Sequence, residues 1–329
     1  MSPADFHTSL KIDFSRGITR SSLSLRMLAS FGMMMALLGC QVTQSERSEA
    51  ERPKLRELVN IDDRILEYAK GAASRAPYTP PGDTARERLA QGVRHLLNGD
   101  IGEAEQRLAD IGFQVTRLTD TASGRRYDEV AARKSGGEAR WGRLYVNADA
   151  TLRWSVQVPH PVADSGTESL GVRLLEEVPG GALVVAGAHR TAGRGDAADV
   201  AHRTDSAFHA IVAEMQKKGI PGMQLHGFAK DSDRPFDAIL STGATRTAPM
   251  EAAALADRMQ GDGLRVCRGW SKRCPLEGTT NAQGKSAKRN GATFLHVELA
   301  PGARGGGNDA DEAAMALSGL LATWSDAGR

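Results

Sequence analysis

The chain has 329 residues, with 42 Lys and Arg against 40 Asp and Glu and a formal net charge of +2. So close a balance gives no electrostatic case for nucleic acid, and none is expected as a partner. The length admits one large domain, or one domain with a helical prefix.

Residues 27–39 read MLASFGMMMALLG, an apolar run shorter than the roughly 20 residues that a bilayer crossing needs. Lys11, Arg16, Arg20 and Arg26 precede it, opposed by only Asp5 and Asp13. A basic stretch, a short apolar stretch and a small-residue cut site describe a signal peptide over residues 1–39. The cut site Leu37-Leu38-Gly39-Cys40 resembles a lipobox, after which the Cys40 thiol receives lipid. Several acyl chains give stable anchoring, at about 0.8 kcal/mol per buried methylene. The expected place of work is therefore the bacterial envelope. By resemblance to sorted lipoproteins, Gln41, a residue other than Asp, implies the periplasmic side of the outer membrane. No second apolar run is long enough to span a bilayer.

Residues 40–52 form a polar, charged tether with nothing to bury. From Pro53 to residue 112 the apolar spacing is helical, as in LRELVNIDDRILEYA and TARERLAQGVRHLL, with the break APYTPPGD between them. Asn98-Gly99-Asp100 ends one helix and opens the next. This prefix reads as a scaffold for the rest of the chain. From about Phe113 the texture changes, and 113–329 is read as an α/β domain. The β-rich runs RLYVN, LRWSVQVPH, ALVVAGAH, MQLHGF, DAILSTG, LRVC and TFLHVEL alternate with the helical segments ESLGVRLLEE, DSAFHAIVAEMQKKG and PMEAAALADRMQ. A last helix, DADEAAMALSGLLATW, closes the chain. The expected fold is three-layer α/β/α with a mixed sheet, behind a helical N-terminal prefix.

With Cys40 lipidated, Cys267 and Cys274 remain, in CRGWSKRC. In an oxidising compartment two close cysteines usually pair, and a metal site needs more ligands than this pair supplies. A disulfide bracing a hairpin or lid is expected.

In open α/β sheets ligands sit beyond the carboxyl ends of the strands, and those ends carry histidine here. One strand ends in His160, with Asp164 and Glu168 shortly after it. The next ends in His189 and Arg190, and another in His226-Gly227. The late strand carries His296 and Glu298 on one face, since side chains alternate with period two. Neutral imidazole plus carboxylate is the ligand set of catalytic zinc, with one position open for water. His160, His226 and either Asp164 or Glu168 are the candidate ligands, and Glu298 the candidate base that moves the water's proton. Zn2+ is the expected ion, and other divalent metals suit the same donors. Arg190 and Arg304 could hold a substrate carboxylate or serve as ion-pair residues. His189, Asp199, His202 and His296 are candidates to orient the ligands, though Asp199 and His202 equally suit a helix cap. His209 reads as a packed helix residue. Thr280, Asn281 and Gln283 read either as hydrogen-bond donors to an amide or as turn residues.

The segments VPHPVADSGTE, AGAHR, QLHGF and FLHVEL, in that order, resemble the zinc-dependent amidohydrolases. Phage-type poly-γ-glutamate hydrolases and N-formylglutamate amidohydrolases, which share a carboxypeptidase-like α/β fold, belong to that group. The resemblance covers roughly residues 140–325. It implies a ligand pair at His160 and Asp164, a later ligand at His226 and a late-strand base at Glu298. The sequence departs from the pattern in having three residues between His160 and an Asp rather than a Glu, which leaves Glu168 as the alternative ligand. The expected function is an envelope-anchored zinc hydrolase of amide bonds in peptide-like or glutamyl substrates. The rival is a non-catalytic envelope lipoprotein that binds a ligand or protein. EGTTNAQGKS has one residue too many for a phosphate loop, and neither DSGTE nor ILSTG is a G-x-S-x-G elbow.

Overall fold

The computed structural model describes residues 56–327 apart from 74, 75, 232, 246 and 248. The signal-peptide segment, Cys40 and the tether lie outside the described residues. Among the described residues no helix is long and apolar enough to cross a membrane.

The chain order is β1 (Glu57–Val59), α1 (Ile61–Gly71), α2 (Asp83–Asn98), α3 (Ile101–Ala109), β2 (Phe113–Asp120), β3 (Arg126–Ala132), β4 (Arg143–Asn147), β5 (Trp154–Val158), α4 (Thr167–Glu177), β6 (Gly181–Val185) and α5 (Ala207–Lys217). Then come β7 (Gly222–Gly227), β8 (Ala238–Ser241), α6 (Met250–Gly261), β9 (Val266–Arg268), α7 (Ala282–Asn290), β10 (Phe294–Leu299) and α8 (Asn308–Asp326). Ten strands form one mixed sheet in the order β1-β2-β3-β4-β6-β5-β7-β10-β8-β9. The four central strands β6, β5, β7 and β10 are mutually parallel. Their carboxyl ends therefore open on one edge.

Alternation along each strand builds the layers. Leu183 and Val185 on β6 join Val156, Val158, Met223, Leu225, Val297 and Leu299 in one apolar cluster with α1, α4, α6 and α8. The intervening Ala182 and Val184 face the other way, into a second cluster with α2, α3 and α5. The expected three-layer α/β/α architecture with a mixed sheet is the one found.

Segment 53–112, expected to be a helical prefix, supplies helices to both layers and also the edge strand β1, parallel to β2. Arg94 on α2 forks onto the buried Glu214 of α5 at 2.9 and 3.2 Å, tying the second layer together. The boundary at Asn98-Gly99-Asp100 is as expected: α2 ends at Asn98, Gly99 takes a left-handed φ of +86°, and α3 starts at Ile101. Strands β2 and β3 were not legible as apolar runs, because charged residues interrupt them. Glu129 on β3 is buried and held by Arg64 (2.6 Å) and Arg143 (3.0 Å). Helix α7 was not legible either, since its buried residues are Ala282, Gln283, Gly284, Ser286 and Ala287, with no apolar stripe.

Candidate active site

The second face of the sheet changes character at β5. Where β6 presents Ala182 and Val184, the same side of β5, β7 and β10 presents Ser155, Gln157, Gln224, His226, His296 and Glu298, all buried. Cross-strand register sets Gln157 beside Gln224, Gln224 beside His296 and His226 beside Glu298. The polar row thus runs toward the carboxyl edge, where the loops add the remaining groups.

Two residues beyond β5, the chain turns back on itself at His160. Asp164 N–H donates to His160 O at 2.9 Å, and Val162 sits at a φ of +69°. A branched residue there stores about 1–3 kcal/mol of strain. The turn returns the Asp164 carboxylate to the His160 ring, with Asp164 Oδ2 3.1 Å from His160 Nδ1 and 3.3 Å from His226 Nδ1. His160, Asp164 and His226 are all buried, and their potential donor atoms lie within 4.8 Å of one another. A second such group, His226, His296 and Glu298, shares one member with the first.

The backs of the rings are also held. Asp199 Oδ1 accepts from His160 Nε2 at 2.8 Å, and Asp199 Oδ2 takes Arg190 NH2 at 2.8 Å and His202 Nδ1 at 3.1 Å. The cap of α5 is Ser206, not Asp199. His226 Nε2 lies 2.9 Å from Gln224 Oε1. The His226 ring stands edge-on to His160 and stacks on His296, with centroids 4.9 and 4.5 Å apart.

Electrostatics separate these groups. Burial works against the charge on Asp164, but the His160 and His226 rings within hydrogen-bond reach outweigh it and hold the carboxyl well below the usual range. Asp199 is driven the same way by His160 and His202 against its burial. Burial opposes protonation of His160 too, and its bonds to Asp164 and Asp199 override it, so its pKa rises. Burial brings His226 down to about 4 and drives His296 well below the usual imidazole value. Glu298 moves the other way: burial, then the charge of Asp164, push it up to about 8. One carboxylate is thus fixed as an anion while its neighbour exchanges a proton near neutrality.

His160, Arg190, His202, His226, His296 and Glu298 line one side of a cleft of about 570 Å³, and residues 273–281 line the other. The expected bridge between Cys267 and Cys274 is present, with Cα atoms 6.1 Å apart, and it anchors that second wall. Gly278 lies over the His296 ring at a φ of +62°, where any Cβ would sit 2.5 Å from the imidazole. The buried His296 Nδ1 has no hydrogen-bond partner.

Other expected site residues fall elsewhere. Glu168 opens α4 and contacts Thr167, outside both donor groups. His189 bonds Thr191 at 2.9 Å and does not line the cleft. Arg304, expected to hold a substrate carboxylate, donates instead to the carbonyls of Ser165 (2.8 Å), Phe228 (3.2 Å) and Leu299 (2.6 Å), clamping the loops behind the site. Thr280 and Asn281 both reach the cleft wall, and the Asn281 and Gln283 amides meet Gln224 beneath it at 2.5 and 3.2 Å. His209 is buried beside Gln283 Nε2 at 3.2 Å. Sequence reasoning missed Gln157 and Gln224, whose only signal is their shared face with His226 at even spacing along the strands. It also missed Arg273, a second guanidinium on the cleft wall.

No protein-family model matches the chain, and no curated protein matches it. Solved structures of similar layout include the succinylglutamate desuccinylase from Chromobacterium violaceum, at 14% identity and a TM-score of 0.40, over 73% of this chain and 78% of that one. A metallo-carboxypeptidase from Pseudomonas aeruginosa aligns at 13% identity and a TM-score of 0.36, over 68% of each chain. One from Burkholderia cenocepacia aligns at 15% identity and 0.36, over 70% of this chain and 67% of that one. The chemistry of the cleft rests on its own residues.

Proposed function

We propose that the protein is a zinc-dependent hydrolase of amide bonds in peptide-like or glutamyl substrates, working in the bacterial envelope. The observation that carries this reading is the convergence of His160 Nδ1, His226 Nδ1 and Asp164 Oδ2. A tetrahedral zinc shell with donors at 2.0–2.2 Å sets neighbouring donors roughly 3.3 Å apart, and Asp164 Oδ2 stands 3.1 and 3.3 Å from the two nitrogens. With Asp199 facing the far nitrogen of one ring and Gln224 that of the other, an ion that displaces the proton between His160 and Asp164 would meet three donor atoms around one position, with Arg190 NH1, 3.4 Å from His160 Nδ1, moved aside. A cation fits there.

His160, Asp164 and His226 would hold the ion, which supplies a Lewis acid to polarise the scissile carbonyl and acidify the attacking water. Asp199 keeps the His160 ring in register by accepting its Nε2 proton. Glu298, buried on the neighbouring strand and lining the same cleft, takes the proton of the water and passes it to the leaving amine. Arg190 and Arg273 offer guanidinium groups to a substrate carboxylate. The walls exclude bulk water from the buried row beneath, which strengthens each of these electrostatic contacts.

The envelope assignment rests on Leu37-Leu38-Gly39-Cys40 and on the disulfide, which suits an oxidising compartment. Incorporation of labelled fatty acid into the wild-type chain and not into a Cys40→Ser variant tests the anchor. The activity is tested on short peptides and γ-glutamyl amides carrying a free carboxylate, with chelated and zinc-restored enzyme. Hydrolysis that a chelator abolishes and zinc restores supports the reading. Hydrolysis indifferent to both, or a folded zinc-loaded protein inert toward every such amide, contradicts it.

A further inference from the structure

Beneath the cleft lies a cluster of four carboxamides, Gln157, Gln224, Asn281 and Gln283, all buried. An amide group can point either way, so its orientation is normally free to follow its surroundings. Here two backbone groups remove that freedom. Val200 C=O accepts from Gln283 Nε2 at 3.0 Å, and a carbonyl cannot donate. Gln283 must therefore turn its oxygen toward Gln224, whose Nε2 donates to it at 3.2 Å. At the other end, Gly284 N–H donates to Asn281 Oδ1 at 2.9 Å as the cap of α7. Asn281 must then turn its nitrogen outward, and it donates to Gln224 Oε1 at 2.5 Å.

Both locks set Gln224 in one sense. Its nitrogen also donates to Gln157 Oε1 at 3.1 Å, which satisfies both of its protons. Its oxygen has one lone pair left, and that faces His226 Nε2 at 2.9 Å. An acceptor there demands a proton on Nε2. On the other side of the ring Asp164 Oδ2 is a rival acceptor for its one proton, but the amide oxygen is nearer, at 2.9 against 3.3 Å, and Asp164 Oδ2 is also met by His160 Nδ1 at 3.1 Å, so Nδ1 is left as the donor atom for an ion.

We infer that Gln283 and Asn281 are positioning residues that fix the tautomer of His226 through Gln224, so that its Nδ1 is presented with an open lone pair. The backbone carbonyl of Val200 and the backbone amide of Gly284 thus select the ligand atom from across two side chains. Sequence reasoning left Asn281 and Gln283 as either hydrogen-bond donors to an amide substrate or turn residues. Their place is under the site, holding it. The functional consequence rests on the zinc reading, but the tautomer itself does not, because it is a property of the metal-free protein.

The experiment is a long-range proton–nitrogen NMR spectrum of the imidazoles in metal-free, 15N-labelled protein, with His226 assigned by its loss in His226→Gln. Zinc affinity is measured on the same samples by competition with a chelator. The expected wild-type state is His226 protonated on Nε2. In a Gln283→Met/Asn281→Ser double variant, where Ser keeps the cap of α7 but offers no amide, both locks are cut, the ring populates both tautomers, and zinc affinity falls about 10–100-fold, the usual effect of removing a ligand's supporting partner. Gln224→Met does the same, while Gln224→Glu, which still offers an oxygen to Nε2, keeps the tautomer. A wild-type His226 protonated on Nδ1 overturns the inference without any variant, so a double variant that fails to fold does not shelter it. A folded Gln283→Met/Asn281→Ser protein with the wild-type tautomer and unchanged zinc affinity overturns it as well, and leaves the zinc site standing. The expected tautomer in a wild-type protein that takes up no zinc upholds the relay and defeats the metal reading instead.

Discussion

The same face of one sheet is built in two ways on either side of the β6–β5 boundary. Toward β2 it is apolar, with Phe113, Val115, Val130, Leu144, Ala182 and Val184 packed beneath α2, α3 and α5. Across β5, β7 and β10 it is a row of amides, imidazoles and a carboxyl beneath α5 and α7. Both halves are buried; the opposite face is apolar core across β6, β5, β7 and β10, while on β3 and β4 it also carries the buried Glu129 and its partner Arg143. The first half gains its stability from apolar area removed from water. The second returns little net stability, because each polar group only exchanges water for a protein partner, but it fixes directions. Stability and aim are thus assigned to different strips of one surface.

The widest separation between the halves should appear in Glu298→Gln. That substitution is expected to lower kcat by about 10²–10⁴-fold, the range for removing a general base, with zinc content and thermal midpoint kept. Full activity in the zinc-loaded variant would remove Glu298 from its role. The converse test is Phe208→Ala, in the apolar half and fully buried. It is expected to cost about 3–5 kcal/mol in urea unfolding while zinc affinity in the folded fraction stays unchanged. A large loss of affinity would show that the two strips are not separable.

A third test uses pH at the seam. Burial brings His209 on α5 down to about 4 from its ordinary 6.5. Its folded-state pKa lies below the unfolded one, so the contribution is fully present above pH 6.5. As the pH falls the unfolded chain takes up a proton first, and stability drops until about pH 4, by roughly 3 kcal/mol in all. Urea titrations at pH 7.5 and 4.5, on wild type and His209→Asn, should show that part of the slope vanish in the variant. The smallest effect is expected from the Cys267→Ser/Cys274→Ser pair. Opening so short a loop costs about 2.5 kcal/mol on the chain-entropy account, and should raise KM more than it lowers kcat, because residues 273–281 wall the cleft.

Much of this was legible in the chain itself. The central strands announce themselves because one face, and on β6 both faces, are apolar, and the histidines mark where those strands stop. His160, His226, Glu298 and either Asp164 or Glu168 could be gathered from that rule, and the structure sets His160, Asp164 and His226 within reach of one another, with His160, His226 and Glu298 lining one cleft. What stayed hidden is the polar row's foundation. Gln157 and Gln224 look like ordinary solvent-facing strand residues, since alternation says that a face is different but not that a helix covers it. Helix α7 has no apolar stripe to reveal it, being buried through small residues and amides. Arg304 shows the opposite error. An Arg near a site reads as a substrate ligand, and only the three carbonyls around it show that it is a clamp.

The most direct test of the account is the zinc stoichiometry of the purified chain, measured by elemental analysis after dialysis against zinc, beside a His160→Ala/His226→Ala double variant. The account predicts about one zinc per folded wild-type chain and none at that site in the variant, with the ion lost from the wild type on chelation and regained on return. A folded wild-type protein that takes up no zinc, or a variant that binds as much as the wild type, would contradict it.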